Sequence, residues 1–521
     1  MLEQIDENPD IPVKAVQEQF QRQFAIGISR IKAYRAKKLA KKHVEGDYVE
    51  QYALLREYAN ELIQQNPGTT VKIEVEAGPD PGNNTRQFRR IYVCLAALKQ
   101  GFKALGRDFL GLDGAFMKGP FPGQILTVVG VDSNNGIYPV AYAIVESENK
   151  DSWMWFLELL GADLDIGSNS NFTFISDRQK GILPTITRLF PCAEHRYCLR
   201  HIHENMKVSF KGDLYKEMLW KCAAATTIPE FTLAMDELKA FNKKAHLRLS
   251  KIPPLHWTRA HFSGRVVSDI LLNNICEVDN GKIVEGRDKP IISALEYIRE
   301  YLMRRIVTVL NVIENSEGLL TPKATEMFDK IKQDATHYHV QWNGGDHYQV
   351  SGKPNSARMV NLAARTCSCR GWEVTGMPSR HAVAALWEKA ATGGRVGALE
   401  SWVHPVYTMD RWKLVYSFKV NPINGRTLWA KIQLPTTIVP PKHHTQVGRP
   451  KKLRKRSAIE LEELTQSGRL SKKQTKVACT KCKNTGHNSR IYKGQAEAGT
   501  SATAGKSGKR AKVVKPGKGG N

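Results

Sequence analysis

The stretch DFLGLDGAFMKGPFPGQILTVVGVDSNNGIYPVAYAIVESENKDSWMWFLELL, residues 108–160, decides the fold. It holds three β-rich runs, at 109–113, 124–132 and 138–146, with Gly, Pro and Asn between them. Such runs separated by turn residues predict an antiparallel meander. The segment 151–160 that follows is predicted to be a helix.

Strands and helices alternate beyond this stretch. We predict a strand at 172–176, a helix at 181–190 and a strand around 195–197. The order β-β-β-α-β-α-β is that of a mixed α/β, ribonuclease-H-like sheet flanked by helices. We therefore expect one such domain over 105–315, interrupted by a helical insertion at about 203–262.

Length and charge limit the remaining classes. The chain has 521 residues, enough for about three domains, and a net charge of +26. Its longest apolar runs are shorter than the roughly 20 residues of a membrane span, and the acidic start MLEQIDENPD has no signal-peptide core. Nine cysteines, four of them in close pairs, favour metal ligation over disulfides. Membrane and secreted classes are therefore excluded.

The two ends of the chain carry basic segments. Residues 441–521 hold 21 Lys and Arg against 4 Glu, a net of +17, and are predicted to be a disordered basic tail. Residues 1–100 are predicted to be a helical region with a helix-turn-helix-like pair, in which Arg35 and Lys38 would face phosphates. A solubilising or nuclear-import tail and a plain three-helix packing unit are the simpler alternatives.

Three acids form a joint hypothesis for catalysis. Asp113 ends the first predicted strand, Asp177 ends the fourth, and Glu277 lies on a helix that can pack back on the sheet. Three hard oxygen ligands can hold two Mg2+ ions, which activate the attacking oxygen and stabilise the leaving one in phosphodiester chemistry. The alternative is ordinary loop caps and a solvated helix face.

Several motifs resemble those of plant Mutator-like element (MULE) transposases. They are the stretch at 108–160, FISDRQKGI at 174–182, CLRH at 198–201 and NNICEVDNGKIVEGRDKPIISALEYIREYLMRR from residue 273. The resemblance implies that Asp113, Asp177 and Glu277 are the D–D–E catalytic acids, and that Cys198 and His201 support the active site. Trp257 resembles an insertion aromatic that stacks near DNA, with a core tryptophan as the alternative.

Two zinc-site patterns each lack one ligand. Residues 337–390 are predicted to be a small ββα unit that resembles the SWIM zinc finger, with Cys367, Cys369 and His381 but Ser379 in place of the third cysteine. A serine hydroxyl stays protonated at neutral pH and is a poor ligand, so weak or absent zinc is expected.

In the tail, a second pattern matches the first three ligands of a CCHC knuckle, a module used on single-stranded nucleic acid. These ligands are Cys479, Cys482 and His487, and Tyr492 stands where the fourth belongs. VGRPKK at 447–452 resembles an AT-hook, in which Arg449, Lys451 and Lys452 would enter narrow A·T minor grooves. The same stretch also reads as a nuclear localisation signal. Residues 391–440 are predicted to be a linker.

Together the resemblances imply a nuclear, MULE-type transposase or transposase-derived protein. It would bind element terminal inverted repeats and A·T-rich DNA, with a homo-oligomer on DNA left open, and cleave and transfer strands with Mg2+. One alternative is a domesticated, catalytically silent DNA-binding regulator, like the far-red-response transcription factors built on the same transposase body. Another is a zinc-dependent interaction module. Relatives carry a further N-terminal zinc-binding domain, so a truncated gene model is also expected.

Overall fold

The computed structural model describes residues 11–45, 48–78, 84–119, 121, 123–352 and 356–441, with the side chains of 38 and 41–45 left out. The helices in chain order are α1 (Val13–Phe24), α2 (Arg30–Glu45), α3 (Tyr48–Ala53), α4 (Leu55–Gln65), α5 (Ala96–Leu105), α6 (Lys150–Leu164), α7 (Ile182–Leu189), α8 (Leu199–Lys207), α9 (Asp213–Ala224), α10 (Ile228–Phe241), α11 (Lys243–Leu249), α12 (Asn274–Lys282), α13 (Ile291–Glu314), α14 (Pro322–Ala335), α15 (Gly371–Thr375), α16 (Arg380–Ala391) and α17 (Met409–Val415). The strands are β1 (Thr70–Ala77), β2 (Thr85–Cys94), β3 (Phe109–Phe116), β4 (Gln124–Val131), β5 (Ile137–Val145), β6 (Thr173–Ser176), β7 (Glu194–Tyr197), β8 (His339–Trp342), β9 (His347–Ser351), β10 (Arg358–Asn361), β11 (Thr366–Cys367) and β12 (Thr437–Val439).

The larger sheet has the order β1-β2-β5-β4-β3-β6-β7, and β12 pairs in parallel with β2. The strands β3, β4 and β5 pair antiparallel, which confirms the predicted meander, whereas β3, β6 and β7 run parallel. Every residue of β4 is buried, as expected for a strand covered on both faces. The mixed α/β class predicted from the sequence is confirmed.

Local signals set the helix that follows the meander. The Asn149 side chain accepts the Ser152 N–H at 3.0 Å and so caps the first turn of α6. The helix ends at Asp165, whose φ of 57° lies in the left-handed region. Trp153 and Phe156 are fully buried and anchor α6 on the sheet.

The N-terminal region is not wholly helical, because β1 and β2 lie within residues 1–100 and join the sheet. Their sequences carry many charges that mask a strand pattern. Those charges are satisfied across the hairpin: Arg89 and Arg90 both pair with Glu74, at 2.6 and 2.9 Å. Cross-strand pairs of opposite charge stabilise a strand pair that propensity alone would not predict.

The insertion has a hydrophobic core of its own, formed by α8 to α11 and two short 3-10 helices. Trp257 lies inside it, 1% exposed, with its indole N–H donating to the Ile252 carbonyl at 3.2 Å. Its ring meets Phe231 edge-on at 5.9 Å. Of the two alternatives for Trp257, the structure supports a core tryptophan, because a ring buried on all sides has no face left on which a DNA base could stack.

The smaller sheet has the order β11-β10-β9-β8, and its neighbouring strands pair antiparallel. Helix α16 covers it with buried side chains such as Val383 and Leu386. The two strands, third strand and helix predicted for this unit are all present.

The segment 391–440, predicted to be a linker, is instead packed against the body of the protein. Trp412 and Tyr416, on and just after α17, are buried, and both donate hydrogen bonds to the Asp132 carboxylate. Further on, Arg56 donates to Thr436, and β12 follows directly. The prediction was wrong because aromatic residues at irregular spacing bury themselves against distant parts of the chain. Among the described helices, none combines the length and apolarity needed to cross a membrane.

Candidate functional site

Two carboxylates lie side by side on neighbouring parallel strands of the larger sheet, near the carboxyl ends of those strands. Asp113 is in β3, and Asp177 directly follows β6. The parallel register sets Leu112 opposite Ser176, so the next residue on each strand is one of the two acids. Burial raises the pKa of Asp113 to about 6, with the charge of Asp177 as the second cause, and burial also raises the pKa of Asp177. Ionising both carboxyl groups in this site therefore costs free energy, because they are buried and repel each other.

Hydrogen bonds fix the orientation of both acids. The two Asp113 carboxylate oxygens accept the Gly114 N–H at 2.9 Å and the Asn280 side-chain N–H at 2.8 Å. Asp177 accepts the Gln179 N–H at 3.1 Å. The sequence pattern does not single out Asn280, although it lies three residues after Glu277 and so on the same face of α12.

Helix α12 reaches the acids because it packs directly on the backbone of β3. A Cβ built at Gly111 would lie 2.7 Å from both Asn273 Oδ1 and Cys276 Sγ. The Asn273 side chain also donates to the Leu112 carbonyl at 2.9 Å. Glycine at this position therefore permits the close approach that places Asn280 against Asp113.

Glu277, in the first turn of α12, forms an ion pair with Arg200. The pair faces solvent, since 28% of the Glu277 side chain and 55% of the Arg200 side chain are exposed. The third predicted acid is thus at this end of the site, but its charge is engaged by an arginine.

Cys198 and His201 lie between these acids. Cys198 precedes α8, and its thiol accepts the Asn273 N–H at 3.2 Å. The pKa of His201 is raised to about 9, mainly by hydrogen bonding to Cys198, and the charges of Asp177 and Glu277 raise it as well. The structure therefore brings the five predicted residues into one electrostatic group.

A second group lies at the start of α16. It consists of Cys367, Cys369 and His381, whose possible metal-donor atoms all lie within 4.8 Å of one another. Among the described residues, this is the group of three or more His, Cys, Asp or Glu side chains that meets this criterion. Cys367 Sγ is 3.7 Å from His381 Nδ1. Hydrogen bonding between the thiols raises the pKa of Cys367 and lowers that of Cys369. A thiolate next to an imidazole in this spacing is a donor set that suits Zn2+.

Ser379 occupies the place next to these three donors. It is the N-cap of α16, and its hydroxyl accepts the Ala382 N–H at 3.3 Å. A Cβ built at Gly371 would be 3.5 Å from Cys369 Sγ and 3.7 Å from the Ser379 Cβ. The residues present therefore fit a three-donor zinc site, with the Ser379 hydroxyl near the Cys367 thiol.

Two family models match these two regions. The MULE transposase domain matches residues 109–205, and the SWIM zinc finger matches residues 338–390. These two parts of the chain are therefore similar to a MULE transposase domain and to a SWIM zinc finger. The MULE match includes Asp113, Asp177, Cys198 and His201 and ends before Glu277.

A curated relative shares part of the sequence. Protein FAR1-RELATED SEQUENCE 6 of Arabidopsis thaliana is 25% identical over 130 residues, which cover 25% of this chain and 18% of that protein. The matched region is thus less than a fifth of the relative's length.

The predicted DNA-contacting residues outside the MULE domain are only partly described. Arg35 is exposed on α2, and the side chain of Lys38 lies outside the described residues. The tail residues also lie outside them: Arg449, Lys451, Lys452, Cys479, Cys482, His487 and Tyr492.

Proposed function

We propose that this chain is a transposase-derived, nuclear DNA-binding protein whose MULE domain cleaves and transfers DNA strands with Mg2+. The observation that carries the proposal is the register that sets Asp113 beside Asp177, with α12 packed on β3 next to them. Two buried acids whose pKa values are raised are a typical feature of functional sites.

The topology supports a ribonuclease-H-like assignment. Three antiparallel strands are followed by two parallel ones in the order β5-β4-β3-β6-β7, and the acids lie on β3 and directly after its parallel neighbour β6. Fold alone does not imply activity, so the proposal depends on the acids themselves.

The donor chemistry suits divalent metal ions, although the donor atoms of the three acids do not all lie within 4.8 Å of one another in the described part of the chain. Asp113, Asp177 and Glu277 would hold two Mg2+ ions, which prefer carboxylate oxygens and would supply an activated water and charge stabilisation at the phosphate. Asn280 orients Asp113 for this task. Glu277 must first leave its ion pair with Arg200, whose guanidinium otherwise neutralises it.

Zinc would be held in the SWIM region by Cys367, Cys369 and His381, with a structural role. Because only three protein donors are present, we expect weaker binding than at a four-ligand site. The basic tail would contact A·T-rich DNA and direct the protein to the nucleus.

The test is strand cleavage on a duplex that carries terminal inverted repeats of the flanking element, with Mg2+ or Mn2+. We expect nicking by the wild type and its loss in Asp177→Asn. Asp165→Asn is the matched control, because Asp165 is exposed and lies at the end of α6. Mn2+ binding followed by electron paramagnetic resonance provides a readout that does not depend on cleavage.

A second candidate is a catalytically silent DNA-binding regulator. The ion pair that engages Glu277 and the match to Protein FAR1-RELATED SEQUENCE 6 favour it. DNA binding without Mn2+ binding or nicking would support this candidate and exclude the nuclease.

A further inference from the structure

A stack of three side chains stands beside the acids and is not used by the proposed chemistry. The Tyr197 ring lies parallel to the His256 ring, with centroids 4.3 Å apart and planes 14° apart. The Arg178 guanidinium lies over the Tyr197 ring, 5.6 Å from its centroid. Arg178 directly follows Asp177, and β-sheet register sets Tyr197 opposite Ser176. The stack therefore lies at the same end of these strands as the acids, with Tyr197 on the Ser176 face of the sheet, because successive side chains of a strand alternate between its two faces.

The two rings are fixed by contacts with the strands rather than by the arginine. His256 Nδ1 is 2.6 Å from the His195 carbonyl oxygen, and His195 Nε2 is 2.8 Å from the Ser176 hydroxyl. The His195 ring also meets Tyr197 edge-on at 5.2 Å. Tyr197 is thus a rigid surface on which a guanidinium is held.

Arg178 differs from the other arginines around the site. Arg200 is paired with Glu277, and Arg259 is paired with Asp269 at 2.8 Å. Arg178 is exposed, and its guanidinium makes no ion pair or hydrogen bond with any described residue. Its five N–H donors are therefore free to bind a ligand in solvent.

A phosphate is the ligand that this arrangement suits. Guanidinium groups bind phosphate oxygens with two parallel hydrogen bonds, and packing on an aromatic ring limits the side-chain freedom lost on binding. Two buried acids repel a polyanion, so additional positive charge around the site favours the approach of a strand. Arg178 is one residue from Asp177 and can supply it.

We infer that Arg178, held on the Tyr197–His256 stack, binds a backbone phosphate of the DNA strand that lies at the acid edge. The inference deepens the proposed function and rests on DNA being the substrate. Tyr197 acts as a positioning residue for Arg178.

The test measures affinity for a fluorescent DNA duplex by anisotropy across a range of salt, with Ca2+ in place of Mg2+ so that no strand is cut. One lost phosphate contact on a duplex reduces the magnitude of the slope of log K against log salt by about 0.9, which is roughly an eight-fold loss of affinity at about 0.1 M salt. We expect this change for Arg178→Gln. Arg178→Lys should keep the slope, because the charge remains.

The matched control is Arg188→Gln, since Arg188 is exposed and lies at the far end of α7. It removes the same charge and should leave the slope unchanged. Tyr197→Leu should weaken DNA binding without changing the slope of log K against log salt. Tyr197→Phe should bind with wild-type affinity, because the phenyl ring still supports the guanidinium.

Equal slopes for Arg178→Gln and Arg188→Gln would overturn the inference. The outcome is separable from that of the proposed function. Wild-type binding with the predicted Arg178 effect but no nicking in Mg2+ would remove the nuclease and keep the phosphate contact. A wild type that binds no DNA would overturn both.

Discussion

Replacing Ser379 by cysteine should convert the three-donor cluster of the SWIM region into a four-donor zinc site. The donor atoms of Cys367, Cys369 and His381 already lie within 4.8 Å of one another, and the Ser379 side chain is within hydrogen-bonding reach of the Cys367 thiol. A thiol at this position has the length and chemistry to become the fourth ligand.

Two effects set the expected changes, one on zinc affinity and one on the stability of the metal-free protein. The binding of Zn2+ by four-ligand sites is worth about 10–16 kcal/mol, so an equal share for one ligand is about 2.5–4 kcal/mol. Loss of the hydroxyl cap on α16 costs about 1 kcal/mol in the metal-free protein. Since about 1.4 kcal/mol is a factor of ten, Ser379→Cys should raise zinc affinity by roughly 10²–10³-fold while lowering metal-free stability slightly.

Zinc affinity would be measured on the full chain by competition with a chromophoric chelator. Co2+ substitution gives a second readout, because each added thiolate strengthens the sulfur-to-metal charge-transfer absorption. Ser401→Cys is the control, since Ser401 is exposed outside the cluster. Equal affinities and equal Co2+ spectra for the two variants would refute the reasoning and show that Ser379 does not occupy the ligand position.

Three further predictions concern stability. In chemical denaturation, Gly111→Ala should lower the free energy of unfolding by about 1–3 kcal/mol, because the added Cβ would lie 2.7 Å from atoms of the α12 segment. Gly281→Ala should be neutral or stabilising by up to about 1 kcal/mol, because no atom lies within 4 Å of the added Cβ. Burial lowers the pKa of His195 from 6.5 to about 3, so the unfolded chain binds more protons below pH 6.5. The free energy of unfolding should therefore fall by about 2 kcal/mol between pH 7 and pH 5 on account of His195. This pH dependence should be absent in His195→Gln. Tyr416→Phe should cost about 1–3 kcal/mol, because it removes a buried hydrogen bond of 2.8 Å to Asp132.

Each of these has a contradicting result. Equal stabilities for the two glycine variants would mean that β3 and α12 are not in close contact. His339→Gln, at an exposed position of β8, is the control for the pH series, and the same slope in both histidine variants would contradict a neutral, buried His195. An unchanged unfolding midpoint for Tyr416→Phe would show that residues after 391 are not part of the cooperative fold.

The meander and the position of Asp113 and Asp177 could be predicted because their signals are local. Apolar runs bounded by turn residues specify strands, and acids at the ends of parallel strands meet at one edge of a sheet. The small sheet and helix of the SWIM region follow for the same reason.

Other features depend on contacts between distant residues and could not be predicted. The β1–β2 hairpin is stabilised by ion pairs between Glu74 and both Arg89 and Arg90, which a propensity pattern does not show. Asn280 gains its role only when α12 docks at Gly111. Trp412 is buried because it meets Asp132, 280 residues earlier in the chain.

The return of the chain to β2 has a consequence for folding during synthesis. Glu61 and Asn66 of the N-terminal segment bond to Asn424 and Asn421, more than 350 residues later. At about 5–20 residues per second, these partners emerge from the ribosome roughly 20–70 s after the segment they complete. Contacts of such long range slow folding, and until β12 arrives the β2 residues that it pairs with, 85–87, stay open to wrong pairing. Nascent chains that stop before residue 420 should therefore depend on chaperones, and chains truncated there should be removed as unfolded protein.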